Sequence, residues 1–294
     1  MSVANENKSL PDEAVQEIQD YVIDNYQKPL VGRQILTRED VSGEKTTYKH
    51  YRVTSEMVNA EIIAPKGSYP REDLKDMEPV LEEIKKVGLG YEISMEDYRQ
   101  ENWVNRSIRE ITHKVALKED DMIINGDATW GVNGIADVTP NTITAEDNWD
   151  SPGSGEAQPT KDLIDAQAKI QEQSDDRFGS DMSDLVLLAN PRNVTELNHQ
   201  FAELDHERAI NYFENALGEI FTSPQVTEGE AFLMETGQDI ARLVVADDVT
   251  VRSPEFDMDN DTYKGNIFTR TLPVFLQYGD TAGESTAFVK IDNI

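Results

Sequence analysis

The sequence predicts an α+β chain in which helices and strands occupy separate stretches. Three observations predict it. A helical pattern runs from Ser94 to about Asn125 with no proline or glycine, its apolar residues spaced four, three and four apart at Val104, Ile108, Ile111 and Val115. A short unbroken apolar run, Leu185-Val-Leu-Leu-Ala189, stops at Asn190-Pro191, as a buried strand does when it feeds a helix with proline in its first turn. Most of the chain beyond Ile220 is rich in β-branched and aromatic residues between turn signals.

Taken in order, residues 1–11 read as a polar arm. Pro11-Asp-Glu13 opens a helix reaching about Tyr26, with Val15, Ile18, Val22 and Ile23 on one face and acids at its positive end. Pro29 and Gly32 are expected to end it. Ile35 to Ile63 reads as strand, with Ser42-Gly43 as a turn. Residues 43–75 hold so few large aliphatic side chains that they read as an extended hairpin lying on something other than its own core. The long helix comes next, stopped by Gly126. Residues 126–160 are turn-rich, and Asn148 to Pro159 reads as a surface loop. A helix from Thr160 to about Ser174 is expected to turn Leu163, Ile164 and Ile170 inward. A strand over Asp184–Asn190 precedes helices from Pro191 and over Ala209–Gly218. Strands are expected at Ala231–Met234, Ala241–Val245, Val249–Arg252, Ile267–Tyr278 and Ala287–Ile291.

The chain of 294 residues carries 57 Asp and Glu against 27 Lys and Arg, a formal charge of −30. The acids are spread along the whole length, so an acidic tail is excluded. So negative a surface repels itself at ordinary ionic strength. Molar salt shortens the screening length to about 3 Å and removes most of that penalty. Adaptation to a host living in high salt is the economical explanation. A direct nucleic-acid binder would need a basic patch, and none is visible. The chain has no cysteine, which excludes disulfides and thiolate chemistry. No apolar run has the length of a membrane span, and residues 1–10 lack a signal-peptide core. A soluble protein made in the cytoplasm is expected.

Signals of catalytic chemistry are weak. His199, Glu203 and His206 could share a helix face as metal ligands, but the zincin arrangement is absent. Asp257, Asp259 and Asp261 resemble the opening of a calcium loop and could hold magnesium or calcium. Thr262 then stands where glycine should and Phe268 where the bidentate Glu should, so a turn between strands is the alternative. The glycines at 126, 131 and 134 follow a helix rather than a strand and lack Gly-Lys-Ser/Thr, so they make no phosphate loop. Asn105-Arg-Ser107 and Asn193-Val-Thr195 fit the glycosylation pattern, a match that arises readily by chance.

Three stretches resemble the capsid proteins of tailed double-stranded DNA viruses, the Hong Kong phage fold shared with encapsulins. Leu89-Gly-Tyr-Glu-Ile-Ser-Met-Glu-Asp-Tyr98 resembles the family's entry into its spine helix. Ala116-Leu-Lys-Glu-Asp-Asp-Met-Ile-Ile-Asn-Gly-Asp127 followed by Gly134-Ile135 resembles the exit from it. Leu185 to Pro191 resembles the central strand of the axial domain, and Ala287-Phe-Val-Lys-Ile291 resembles the family's closing strand. The resemblance implies an N-arm at 1–42 and an extended loop at 43–78. A peripheral domain at 79–155 and 246–294 and an axial domain at 156–245 complete it.

It further implies a major capsid protein without enzymatic activity or a cofactor, assembled in the host cytoplasm into pentamers and hexamers of an icosahedral virion shell. That shell would enclose DNA without binding it specifically. Scaffold, protease, portal or decoration proteins are implied partners, and no membrane is. Loop residues Thr46, Tyr48, Tyr51, Val53 and Lys66 are expected at contacts between subunits. Some members crosslink a loop lysine to a peripheral asparagine; Lys49 and Lys66, and Asn260 and Asn266, lie in the corresponding regions, with no alignment that pairs them. An encapsulin compartment around a cargo enzyme is the alternative, and a halophilic hydrolase using carboxylates or His199 and His206 a more distant one.

Overall fold

A computed structural model describes residues 30–53, 77–94, 102–150, 157–199, 208–276 and 285–294, with separate positions between 16 and 26 and at 96. The architecture is mixed α+β, built around one long helix and two sheets. The helices are α1 (Gly32–Ile35), α2 (Asn102–Asn125), α3 (Ile135–Val138), α4 (Pro159–Ser174), α5 (Pro191–Glu196) and α6 (Ala209–Ala216). The strands are β1 (Thr37–Asp40), β2 (Thr47–Val53), β3 (Met77–Glu83), β4 (Lys85–Ser94), β5 (Asn141–Thr144) and β6 (Leu185–Ala189). They continue with β7 (Glu219–Thr222), β8 (Glu230–Glu235), β9 (Ala241–Asp257), β10 (Thr262–Phe275) and β11 (Phe288–Asp292).

Helix α2 is the spine. Its 24 residues span about 36 Å at 1.5 Å each, and three separate apolar clusters hang on it. Ile108, Val115 and Ala116 pack under β4, β9 and β10, against Tyr91, Ile93, Val249, Val251, Tyr263 and Ile267. Ile111 is half-buried beside them. Met122 joins a second cluster, and Ile123 and Ile124 face the third and largest. Burying a side chain such as Ile108 contributes about 1.5–3 kcal/mol. Gly126 ends the helix with φ +73°, in the left-handed region that only glycine enters freely.

The four-stranded sheet runs β1-β9-β10-β4 and the five-stranded sheet β5-β11-β8-β6-β7. Every residue of β6 is buried, as its unbroken apolar run demands. Asn190 caps α5 by accepting from the Arg192 N–H, and Pro191 stands in the first turn. Strands β2 and β3 form a separate two-stranded hairpin.

Several expectations need correction. Residues 89–94 do not open the spine helix; they finish β4 and pair with β10. Their period is two: Tyr91 and Ile93 are buried while Gly90 and Glu92 are exposed. Gly32 does not end helical structure but opens α1, because a Cβ there would stand 2.7 Å from Ile123 Cγ2. Ile35 lies in that turn and not in a strand. Ile18, Val22 and Tyr26 are helical and buried, four residues apart, but Ile23 is exposed, and Val15 lies outside the described residues. Ile164 is also exposed, since α4 turns Leu163, Ala166 and Ile170 to the core. The two strands expected between Ala241 and Arg252 are one strand of 17 residues. Within residues 246–294, β10 pairs with β4 and β9, while β11 pairs with β5 and β8. Residues 37–40 form β1, which extends the four-stranded sheet along β9.

Candidate assembly interface

The β2/β3 hairpin has two faces of different chemistry. Its register pairs Tyr48 with Glu82 and His50 with Val80 on the inner face, and Lys49 with Leu81 and Tyr51 with Pro79 on the outer. Tyr48 is buried against Ile84, Met122, Val244 and Leu272. Its hydroxyl donates to Glu39 Oε2 at 2.8 Å and accepts from Arg242 Nη1, which also bonds Glu39 at 2.8 Å. Burial and the Glu39 hydrogen bond raise the Tyr48 hydroxyl's pKa. Burial opposes ionisation of Glu39, but the Arg242 and Tyr48 hydrogen bonds outweigh it and lower that carboxyl. The root of the hairpin is therefore fixed on its own subunit.

The outer face is not covered. Tyr51 is 52% exposed and Leu81 69% exposed, with exposed Pro79 between them. Lys49 lies over the Tyr51 ring, 4.9 Å from its centroid. Of the expected contact residues, Thr46 and Tyr51 are exposed, while Tyr48 is corrected to a root residue because strand alternation turns it inward. Only the backbone of Val53 is described, and Lys66 lies outside the described residues.

A second construction holds the N-terminal segment on the spine. Arg33 donates through Nε to Glu119 Oε2 and through Nη2 to Glu119 Oε1, both at 3.0 Å, and through Nη1 to Asp248 Oδ1 at 2.8 Å. Tyr26 donates to Glu119 Oε2 at 2.7 Å, and Arg38 to Asp248 Oδ2 at 2.7 Å. Burial opposes ionisation of Asp248, but the Arg33 hydrogen bond and charge prevail and bring its carboxyl down to about 2. Beside them, Asp120 accepts from the Gly32 N–H at 2.7 Å and from Ser223 Oγ at 3.0 Å, and burial raises its carboxyl. One turn of α2 thus ties the N-terminal segment to β9 and to the end of β7. Sequence reading misses this network, since Arg33 and Asp248 alone lie 215 positions apart and no local pattern pairs them.

The acidic turn is a turn. Asp257 accepts from the Asp259 N–H at 3.0 Å, from Asn260 Nδ2 at 2.9 Å and from Lys264 Nζ at 2.7 Å. The Lys264 hydrogen bond above all holds the Asp257 carboxyl well below the usual carboxylate range. Asp261 takes φ 57°, as the tight connection of β9 to β10 requires. Its three aspartates are not brought together as ligands, and among the described residues no group of three or more His, Cys, Asp or Glu side chains is arranged to hold a metal ion. His199 stands just beyond α5, while Glu203 and His206 lie outside the described residues. The glycine-rich segment after the spine folds on itself: the Asp127 N–H donates to the Val132 carbonyl, the Val132 N–H donates to the Asp127 carbonyl, and Trp130 stands 66% exposed at the tip. Among the described helices none is long and apolar enough to cross a membrane.

The family described as encapsulating protein for peroxidase matches residues 2–262. A comparison with curated proteins finds no match. Among solved structures, the virus-like particle from Pyrococcus furiosus is similar over 95% of this chain and 100% of that one, with TM-score 0.65 and 12% identity. The structure from Mycobacterium phage Bobi is similar over 99% and 94%, with TM-score 0.65 and 12% identity. The capsid of Myoviridae phage XM1 is similar over 88% and 90%, with TM-score 0.61 and 11% identity. The chain has the Hong Kong phage capsid fold, and it belongs to the family of encapsulating proteins for peroxidase, whose members are structural shell proteins and not enzymes.

Proposed function

We propose that the chain is the major capsid protein of a tailed double-stranded DNA virus of a high-salt host, forming pentamers and hexamers of an icosahedral shell. One observation carries the shell reading: Tyr51 and Leu81 stand exposed on a hairpin whose root is locked to its own subunit. Apolar side chains so placed suit covering by another copy, and a head-to-tail contact whose rotation closes makes a ring, the first step toward a shell. The phage neighbours support the viral reading, under which double-stranded DNA is the content and portal and scaffold proteins are partners. The family match favours a second reading, a compartment holding a peroxidase-like cargo enzyme. Purified particles decide between them. Extracted double-stranded DNA supports the capsid, and a stoichiometric second protein without nucleic acid supports the compartment. A discrete small oligomer in molar salt contradicts both.

A further inference from the structure

His50 is the one histidine among the described residues that is buried, at 5% exposure, and neither of its ring nitrogens has a hydrogen-bond partner. It lies at the root of the hairpin, on the inner face of β2. Glu82 of β3 brings Oε1 to 3.4 Å from His50 Nε2, within reach of an ion pair but without the alignment of a hydrogen bond. The Glu82 side chain is 27% exposed and keeps water access. Among the described side chains, Tyr48 of its own strand stacks on the imidazole at 6.5 Å between centroids, and the Tyr48 hydroxyl in turn bonds Glu39 of β1 and Arg242 of β9; Arg52 and Glu78 lie on the same face by register. Arg242 is already bonded to Glu39, while the Glu82 carboxylate stands at ion-pair distance from the imidazole.

A buried polar group without a partner is costly and invites a second state in which it has one. Histidine is the side chain whose charge changes between pH 5 and 8. Protonation turns His50 into a donor at both nitrogens, and a shift of a few tenths of an ångström gives a charged hydrogen bond to Glu82. The proton comes from solvent, and no other group changes state. We propose that His50 and Glu82 form an acid-tightened latch that sets how firmly the extended hairpin is held on its own subunit. The role of the hairpin in joining subunits rests on the shell reading above, while the latch itself is a property of one chain. With the imidazole protonated the latch is closed and the hairpin stiff; with it neutral the latch is open and the hairpin can adapt to neighbours.

Hydrogen exchange on the full-length protein tests this, read on peptides covering 47–53 and 77–83 and corrected for the chemical rate at each pH. Protection is expected to rise about fivefold from pH 7.5 to pH 5.5 in the native protein. That rise is expected to vanish in Glu82→Gln, a change at a partly exposed site that folding tolerates, and in His50→Phe. Equal native protection at both pH values overturns the latch, and so does a pH response that persists in Glu82→Gln. Light scattering on the same samples judges the shell reading independently: absence of particles at every pH contradicts that reading, while the exchange data still decide the latch.

Discussion

Arg33 and Glu119 meet in a two-pronged ion pair, both contacts at 3.0 Å, and the Glu119 side chain has no exposure to solvent. Removing Arg33 strands a buried charge. Arg33→Met is therefore expected to cost about 3–5 kcal/mol, read from urea unfolding of dissociated subunits. Arg33→Lys keeps the charge but loses the planar fork, and is expected to fall between the two. An Arg33→Met subunit as stable as the native one contradicts the clamp.

Asp248 adds a pH dependence of defined sign. Its carboxyl is lowered from 3.8 to about 2 in the folded chain. A lowered carboxyl contributes stability that is complete above its unfolded value and lost as pH falls through the folded one. The stability gap between the native protein and Asp248→Asn is expected to be constant above about pH 5 and to narrow between about pH 4 and pH 2. Acid titration of unfolding at fixed salt measures this, and a gap that widens toward acid contradicts it.

The exposed face of the hairpin separates folding from assembly. Leu81→Asp and Tyr51→Ser are expected to leave subunit stability within about 0.5 kcal/mol, as surface changes do. Both are expected to abolish or strongly reduce closed particles in electron micrographs. Normal particles from Leu81→Asp would remove the hairpin from the assembly interface.

On the spine, Ile108 is 2% exposed while Ile111 is half-buried. Ile108→Asp places an unpaired charge beneath the sheet and is expected to prevent folding, at a cost of several kcal/mol. Ile111→Asp can turn toward solvent and is expected to cost clearly less. Equal losses of soluble protein would contradict this difference in depth.

Salt tests the charge of −30 per chain. At about 0.1 M salt the screening length is near 10 Å and repulsion between neighbouring subunits persists; in molar salt it is largely removed. Particles are expected to stay closed in molar salt and to loosen on dilution, followed by light scattering. Asp257→Asn is expected to leave any effect of magnesium unchanged, because Lys264 already takes that carboxylate. Particles that survive prolonged dialysis remove screening as the control on stability.

How much of this was legible in the sequence depended on range. The spine, α4, β6 and α5 follow from apolar period and proline placement within one element, and the structure ends the spine at Asn125 and has the other three within a few residues; the lead-in to the spine is different. There Leu89 to Ser94 mixes two glycines with large side chains, and its period of two is visible only once β10 is known to lie beside it. Tyr48 and Tyr51 look alike in sequence, and strand alternation alone makes one a root residue and the other a surface residue. The Arg33 clamp and the unpartnered imidazole of His50 depend on contacts across the fold, which no local spacing encodes.

The place of β11 has a consequence for the order of events during synthesis. It lies between β5 and β8, parallel to the first and antiparallel to the second, and it bridges two strands made well before it. Until residues 288–292 leave the ribosome, β5 has no neighbour in its sheet and one edge of β8 is bare. A nascent chain can form the spine and the four-stranded sheet but cannot complete the second one. Completion of the second sheet therefore waits on residues 288–292, however early its other four strands are made.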